Sequence, residues 1–163
     1  MNRRTFLAAA AAPYALSANL PIKKGVLLGM LPKELPYPER LRLAREVGFE
    51  ELECPTIRDQ AEAEAIRSAA KAAGLRIHSV MNSDHWQYPL SSSDPAVVAR
   101  SVDCMEVSLR NARFWGADTV LLVPAVVNEQ TSYADAWERS QKQIRKLIPL
   151  AQETKVIIAV EDV

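Results

Sequence analysis

The sequence predicts an α/β fold, specifically an incomplete (β/α)8 TIM barrel with about five parallel strands and four helices. Three observations carry this prediction. A unit of helix, glycine stop and short apolar strand recurs along the chain. Two segments, Val120-Leu121-Leu122-Val123 and Val156-Ile157-Ile158-Ala159-Val160, are continuous apolar runs, which suit strands covered on both faces in a parallel sheet flanked by helices. Strands and helices alternate strictly, the signature of α/β architecture.

Residues 1–18 are set apart from this pattern. Met1-Asn2-Arg3-Arg4-Thr5-Phe6-Leu7, the alanine run to Ala12 and the small-residue stretch Ala15-Leu16-Ser17-Ala18 have the order of an export signal. The paired Arg3-Arg4 ahead of Phe6-Leu7 resembles the twin-arginine type. A plain helical or disordered N-terminus is the alternative. Phe6 to Leu16 is too short to cross about 30 Å of hydrocarbon, and no other segment reaches about 20 apolar residues. The expectation is an exported, periplasmic protein with no stable membrane span, folded over residues 22–163.

The repeated unit first gives Leu41-Arg42-Leu43-Ala44-Arg45-Glu46-Val47-Gly48 before Phe49-Glu50-Glu51-Leu52-Glu53. It returns as Ala69-Ala70-Lys71-Ala72-Ala73-Gly74 before Leu75-Arg76-Ile77-His78-Ser79-Val80, and as Ala112-Arg113-Phe114-Trp115-Gly116 before Ala117-Asp118-Thr119-Val120-Leu121-Leu122-Val123. Each glycine stands where a left-handed helix stop is wanted, since glycine takes positive φ without a Cβ clash. Asp59 with Glu62 reads as a capping box, and Asp94-Pro95 as a cap followed by proline at the first helical position. The third helix carries one apolar stripe, Val98, Val102, Met105, Leu109 and Ala112; the fourth offers Trp137, Ile144, Leu147, Ile148 and Ala151. Pro149 should kink the fourth helix or end its regular part. Strands are expected at Gly25–Met30, Phe49–Glu53, Leu75–Met81, Asp118–Pro124 and Val156–Glu161.

An open, doubly wound sheet competes with the barrel. No GxGxxG or GxxxxGK[ST] follows the first strand, and Gly25-Val26-Leu27-Leu28-Gly29 lies within a strand. The usual nucleotide-binding support for the open sheet is therefore missing. A whole barrel takes about 250 residues, against about 145 after the signal. The last residues are a strand whose edge would be left open, so the chain reads as the N-terminal part of a barrel, truncated and with little or no activity of its own.

Composition narrows the function classes. The 163 residues carry 20 basic and 20 acidic side chains, which excludes the overall basic excess that duplex nucleic acid demands. Hydrophobic residues at 48% and charged residues at 25% fit a globular domain. Cys54 and Cys104 form no CxxC or Cys/His pattern, so they suggest no zinc cluster. They read as small buried apolar residues, a disulfide between them being the alternative for an exported chain.

In a barrel, chemistry gathers at the C-terminal ends of the strands. Glu161 is the sharpest candidate, because a carboxylate directly after the apolar run of the fifth strand is costly to bury unless a metal or partner compensates. A solvated or ion-paired glutamate is the plain alternative. Glu53 ends the second strand, although three glutamates in five residues weaken any one of them. His78 lies within the third strand, as a substrate contact or a packed wall residue. His85 follows Asn82-Ser83-Asp84 and precedes Trp86, a polar loop with an aromatic plate of the kind that holds sugars. Ser79 follows His78 directly, but neighbouring strand residues point to opposite faces, so no serine or cysteine is read as a nucleophile paired with a histidine base.

Three stretches resemble the xylose isomerase-like barrel superfamily, which includes sugar isomerases, ketose 3-epimerases, hydroxypyruvate isomerase-like proteins and the endonuclease IV group. They are Glu46-Val47-Gly48-Phe49-Glu50-Glu51-Leu52-Glu53, Asn111-Ala112-Arg113-Phe114-Trp115-Gly116-Ala117-Asp118-Thr119-Val120 and Ile157-Ile158-Ala159-Val160-Glu161-Asp162-Val163. The resemblance implies that Glu161 binds a divalent metal (Mn, Mg, Co or Zn) and also moves a substrate proton. It further implies a sugar substrate, for which Glu53, His78, His85 and Trp86 are the candidate contacts by their positions along and after the strands. The remaining metal ligands of that family, an acidic residue, a histidine and a second glutamate, come from later strands. Two other readings compete. One is a non-catalytic carbohydrate-binding or assembly module, in which a half barrel pairs with a second copy. The other is an endonuclease IV-like enzyme, opposed by two histidines, zero net charge and the export signal.

Overall fold

The structure, a computed structural model, describes residues 22–162. The expected signal, residues 1–18, lies outside the described residues, as does Val163. Five strands form one sheet: β1 (Gly25–Leu27), β2 (Glu51–Pro55), β3 (Arg76–Met81), β4 (Thr119–Leu122) and β5 (Ile157–Val160). They are joined through α1 (Tyr37–Glu46), α2 (Gln60–Ala73), α3 (Pro95–Trp115) and α4 (Tyr133–Thr154). All neighbours pair in parallel, and their order in space is their order in sequence. A doubly wound sheet reverses its strand order at a switch point. This sheet does not reverse, so the architecture is the rising half of a barrel.

Alternation along the strands assigns the two faces. Leu52 and Cys54 of β2, Ile77 and Val80 of β3, and Val120 and Leu122 of β4 are buried in one core with Leu41, Ile66, Met105, Leu109 and Leu147 of the helices. The opposite face carries Leu27, Glu51, Glu53, Thr119, Leu121 and Ala159, all partly accessible. Leu109 is fully buried, and truncating such a leucine costs about 2–5 kcal/mol.

The helix ends follow the sequence with two exceptions. Gly48, Gly74 and Gly116 all take positive φ, and Gly74 and Gly116 cap α2 and α3. At α4 the same left-handed position is held by Lys155, φ 58°, which no glycine signal announced. Asp59 accepts the N–H of Glu62 at 2.7 Å, but the Glu62 carboxylate accepts the Tyr37 hydroxyl rather than closing the capping box. The third cap behaves as read: Asp94 accepts from the N–H of Ala96.

Other details differ from expectation. β1 stops at Leu27, and Leu28–Met30 turn into a 3-10 helix. The buried Arg40 of α1 donates from Nη2 to the Leu28 carbonyl at 2.5 Å and fixes that turn. β2 starts and ends two residues later than expected, because Glu50 and Glu51 both donate to the Lys24 carbonyl and pairing begins there. Glu53 is therefore in the middle of β2. α4 runs through Pro149 unbroken. Proline removes one helical hydrogen bond, from the Arg145 carbonyl, and both residues are exposed to water that can replace it. Cys54 and Cys104 are free, buried thiols with no disulfide. No described helix is long and apolar enough to cross a membrane.

Candidate functional site

The loop after β3 is held by its own polar groups. Asn82 is 1% exposed; its N–H extends the sheet to the Leu121 carbonyl, and its Oδ1 accepts the Asp84 N–H at 3.1 Å. Its Nδ2 donates to Ser108 of α3, whose hydroxyl also lies 2.8 Å from Thr56 Oγ1. Arg100 pairs with Asp84 and lies over the Tyr88 ring. Ser91 accepts the Val126 N–H at 3.1 Å, joining this loop to the one after β4.

His85 sits inside this scaffold, 3% exposed. Its Nδ1 accepts the backbone N–H of Val123 at 3.2 Å, just past the end of β4. The neutral ring then carries its proton on Nε2. Burial pushes the His85 pKa down, and the nearby Glu161 carboxylate pulls against that shift. Trp86 meets the His85 ring edge-on at 5.6 Å.

Glu161 follows β5, and its N–H continues the ladder to the Leu122 carbonyl at 3.0 Å. Its side chain is exposed. Trp86, Val160, Glu161 and Asp162 line one cleft of about 610 Å³ together with Tyr133 and Trp137 of α4. The structure thus brings together His85, Trp86 and Glu161 at the C-terminal rim.

Glu53 and His78 lie elsewhere. They line a second cleft together with Lys23, Gly25, Phe49 and Glu51. This cleft runs along the edge of the sheet at β1, from Lys23 and Phe49 before β1 and β2 to Met30 beyond the end of β1. Glu53 accepts the Ser79 hydroxyl at 2.6 Å. The register between β2 and β3 shifts at Leu52/Glu53, which makes His78 the extra residue opposite β2. Its Nε2 lies 3.2 Å from where a Cβ on Gly25 would stand, so a side chain there would press on the ring.

Two aromatic members of the rim were not singled out in the sequence as site residues. Trp137 reads there as part of the apolar stripe of the fourth helix, yet it is 60% exposed. It stands in the first turns of α4, at the rim, where the stripe has no strand left to cover. Tyr133, four residues earlier, stacks on it.

Among the described residues, no three His, Cys, Asp or Glu side chains converge as a metal site. At the rim there is one free carboxylate pair, Glu161 and Asp162, and one histidine whose Nδ1 is already engaged. This set does not by itself fit a catalytic divalent cation, which needs about three protein ligands in fixed geometry.

The sequence model of the xylose isomerase-like TIM barrel family matches residues 41–163. This chain belongs to that family. Among its curated relatives is the L-ribulose-5-phosphate 3-epimerase UlaE of Salmonella paratyphi B, 28% identical over 156 residues, covering 86% of this chain and 54% of the relative. The chain thus spans about half the length of the curated relatives it matches. Solved epimerase structures share the fold. The apo 3-keto-D-glucoside 4-epimerase YcjR of E. coli superposes with a TM-score of 0.73 at 17% identity, over 87% of this chain and 56% of that one. An L-ribulose 3-epimerase superposes with a TM-score of 0.67 at 21% identity, over 86% and 50%. Within this family fold, Glu161, His85 and Trp86 stand at the rim where barrel chemistry gathers.

Proposed function

We propose that the protein contributes to a sugar isomerase or epimerase that moves a proton at a carbon next to a carbonyl, through an enediolate. The observation that carries this reading is the rim cluster of Glu161, His85 and Trp86, in a family whose curated relatives are sugar epimerases. Glu161 is exposed and lines the cleft, the group we assign to take a C–H proton as a general base. His85 offers a neutral Nε2–H, fixed in tautomer by the Val123 amide, as a donor to a substrate oxygen. Trp86 supplies a flat apolar wall. Glu53 is bonded to Ser79, and with His78 it lines the second cleft, apart from this cluster.

The family resemblance brings with it a divalent cation, whose chemistry would be to polarise the carbonyl and the adjacent hydroxyl. Residues 22–162 supply Glu161 toward such an ion and no complete set, so no step is routed through it. On the 163 residues alone we expect little or no turnover. The N-terminal pattern supports export to the periplasm.

Solvent exchange tests the chemistry. The protein is incubated in D2O with L-ribulose, D-fructose or D-tagatose and added Mn2+, Mg2+, Co2+ or Zn2+, and deuterium at the carbon beside the carbonyl is followed by NMR. It is run on the 163-residue chain and on the product of any reading frame continuing past codon 163. Expected is exchange by the longer product that Glu161→Gln lowers at least about 100-fold, the usual scale of a lost general base. Exchange undiminished by Glu161→Gln rejects the assignment.

A further inference from the structure

The cleft beside Glu161 contains aromatic surface that packing leaves uncovered. Trp86, Tyr133 and Trp137 are 58%, 69% and 60% exposed, and all three line that cleft. Tyr133 and Trp137, one helical turn apart, stack with ring centroids 6.3 Å apart and planes 21° from parallel. Trp86 is braced edge-on by His85. Three large exposed aromatics in one concavity mark a binding surface.

Charge decides what such a surface takes. Among the described residues, Glu161 and Asp162 are the charged ones lining the cleft, and no lysine or arginine lines it. The basic side chains Arg139, Lys142 and Lys146 line a different groove, between α3 and α4, shared with Asp103 and Glu106. A phosphate brings about −1.5 to −2 charges at pH 7. In this cleft it would face two carboxylates with no cation lining the walls. A neutral sugar ring suits it better: its C–H face can lie on the aromatic planes, and its hydroxyls can donate to the carboxylates.

We infer that the Trp86–Tyr133–Trp137 cleft is a specificity subsite for an uncharged sugar ring, so that the substrate class is a neutral sugar or glycoside rather than a sugar phosphate. This rests on the sugar isomerase/epimerase reading for the carbohydrate class, and on the aromatic content and charge of the cleft for the rest.

The test is a binding titration on the 163-residue chain, read by tryptophan fluorescence and saturation-transfer NMR. The probes are phenyl β-D-glucopyranoside, D-fructose and D-fructose 6-phosphate. Expected is saturable binding of the two neutral probes, with the phosphate at least about tenfold weaker. Trp137→Ala weakens the neutral probes about three- to tenfold, and Trp137→Phe, which keeps a flat ring, restores most of the loss. Trp86→Ala provides a second variant should Trp137→Ala fail to show a native circular dichroism spectrum. Asp162→Asn narrows the gap between D-fructose and its phosphate. The inference is overturned by equal or tighter binding of the phosphate, or by aromatic variants that leave affinity unchanged. It is overturned as well if Trp137→Ala turns a self-associated chain into a monomer in sedimentation, which would make the face a protein interface. Failure of a folded chain to bind any of the sugars removes the carbohydrate reading too, whereas the other outcomes remove the subsite alone.

Discussion

The backbone N–H of Val123 donates to Nδ1 of His85 at 3.2 Å. One hydrogen bond thus ties the loop after β3 to the end of β4, and it leaves the proton of the neutral His85 ring on Nε2. Both partners are buried.

His85→Ala should therefore leave a buried amide unpaired and cost about 1–3 kcal/mol, measured by urea denaturation. The pH dependence follows from burial. The folded state holds the His85 pKa below its ordinary value of 6.5. Between those two values the unfolded chain binds more protons than the folded one. The contribution is complete above pH 6.5 and is lost as pH falls from there through the lowered folded value. His85→Ala should flatten the stability curve in that acid window. Glu161→Gln should steepen it, since the carboxylate opposes the shift.

Ser79→Ala removes the hydroxyl that donates to Glu53 at 2.6 Å across β3 and β2. Hydrogen bonds to charged groups contribute about 1.5–3 kcal/mol, so a loss of that size is expected in chemical denaturation. A double-mutant cycle with Glu53→Ala should return most of it as coupling between the two. Additive losses would show that the pair is not a unit.

Both thiols should resist modification in the native state. Cys54 is fully buried, and burial with the neighbouring Glu53 charge pushes its pKa up to about 12. Cys104 is 1% exposed. Mass spectrometry after iodoacetamide at neutral pH should show no adduct on the folded protein and two after unfolding, without a reductant. A requirement for reductant would reveal a disulfide.

Lys155 caps α4 in the left-handed conformation, φ 58°. For a residue with a Cβ this costs about 1–2 kcal/mol, partly offset in glycine by its freer unfolded chain. Lys155→Gly should raise stability by about 0.5–1 kcal/mol in thermal or urea unfolding. The same change at exposed Lys142, inside α4, should lower it by a comparable amount.

Much of the fold is legible in the sequence because it is written in local rules. Gly74 and Gly116 stop helices, Asp94 and Pro95 start one, and the apolar run Val120 to Val123 needs cover on both faces. The partition of the candidate site is not local. Glu53 and His85 both belong to strand-and-loop segments of similar appearance, yet Glu53 lines the cleft along the β1 edge with Lys23, Phe49 and Met30 while His85 meets Val123 at the rim. A shift of strand boundaries by two residues and a register irregularity at Leu52/Glu53 decide this, and neither leaves a compositional mark. Trp137 illustrates the converse. Its spacing places it on an apolar stripe, but a stripe is buried only where another element lies against it.

By itself the sequence determined the repeating strand–helix unit, most of the helix stops and the placing of a carboxylate directly after the last apolar strand, since each depends on residues within one turn or one strand of another. Tertiary structure alone decided that Glu161 shares a cleft with Trp86, Tyr133 and Trp137, and that Glu53 and His78 do not. The reason is geometric: residues from β3, β4, α4 and β5 meet at one rim when parallel pairing stacks the strands in register, and the sequence carries no term for distance between segments that are far apart along the chain.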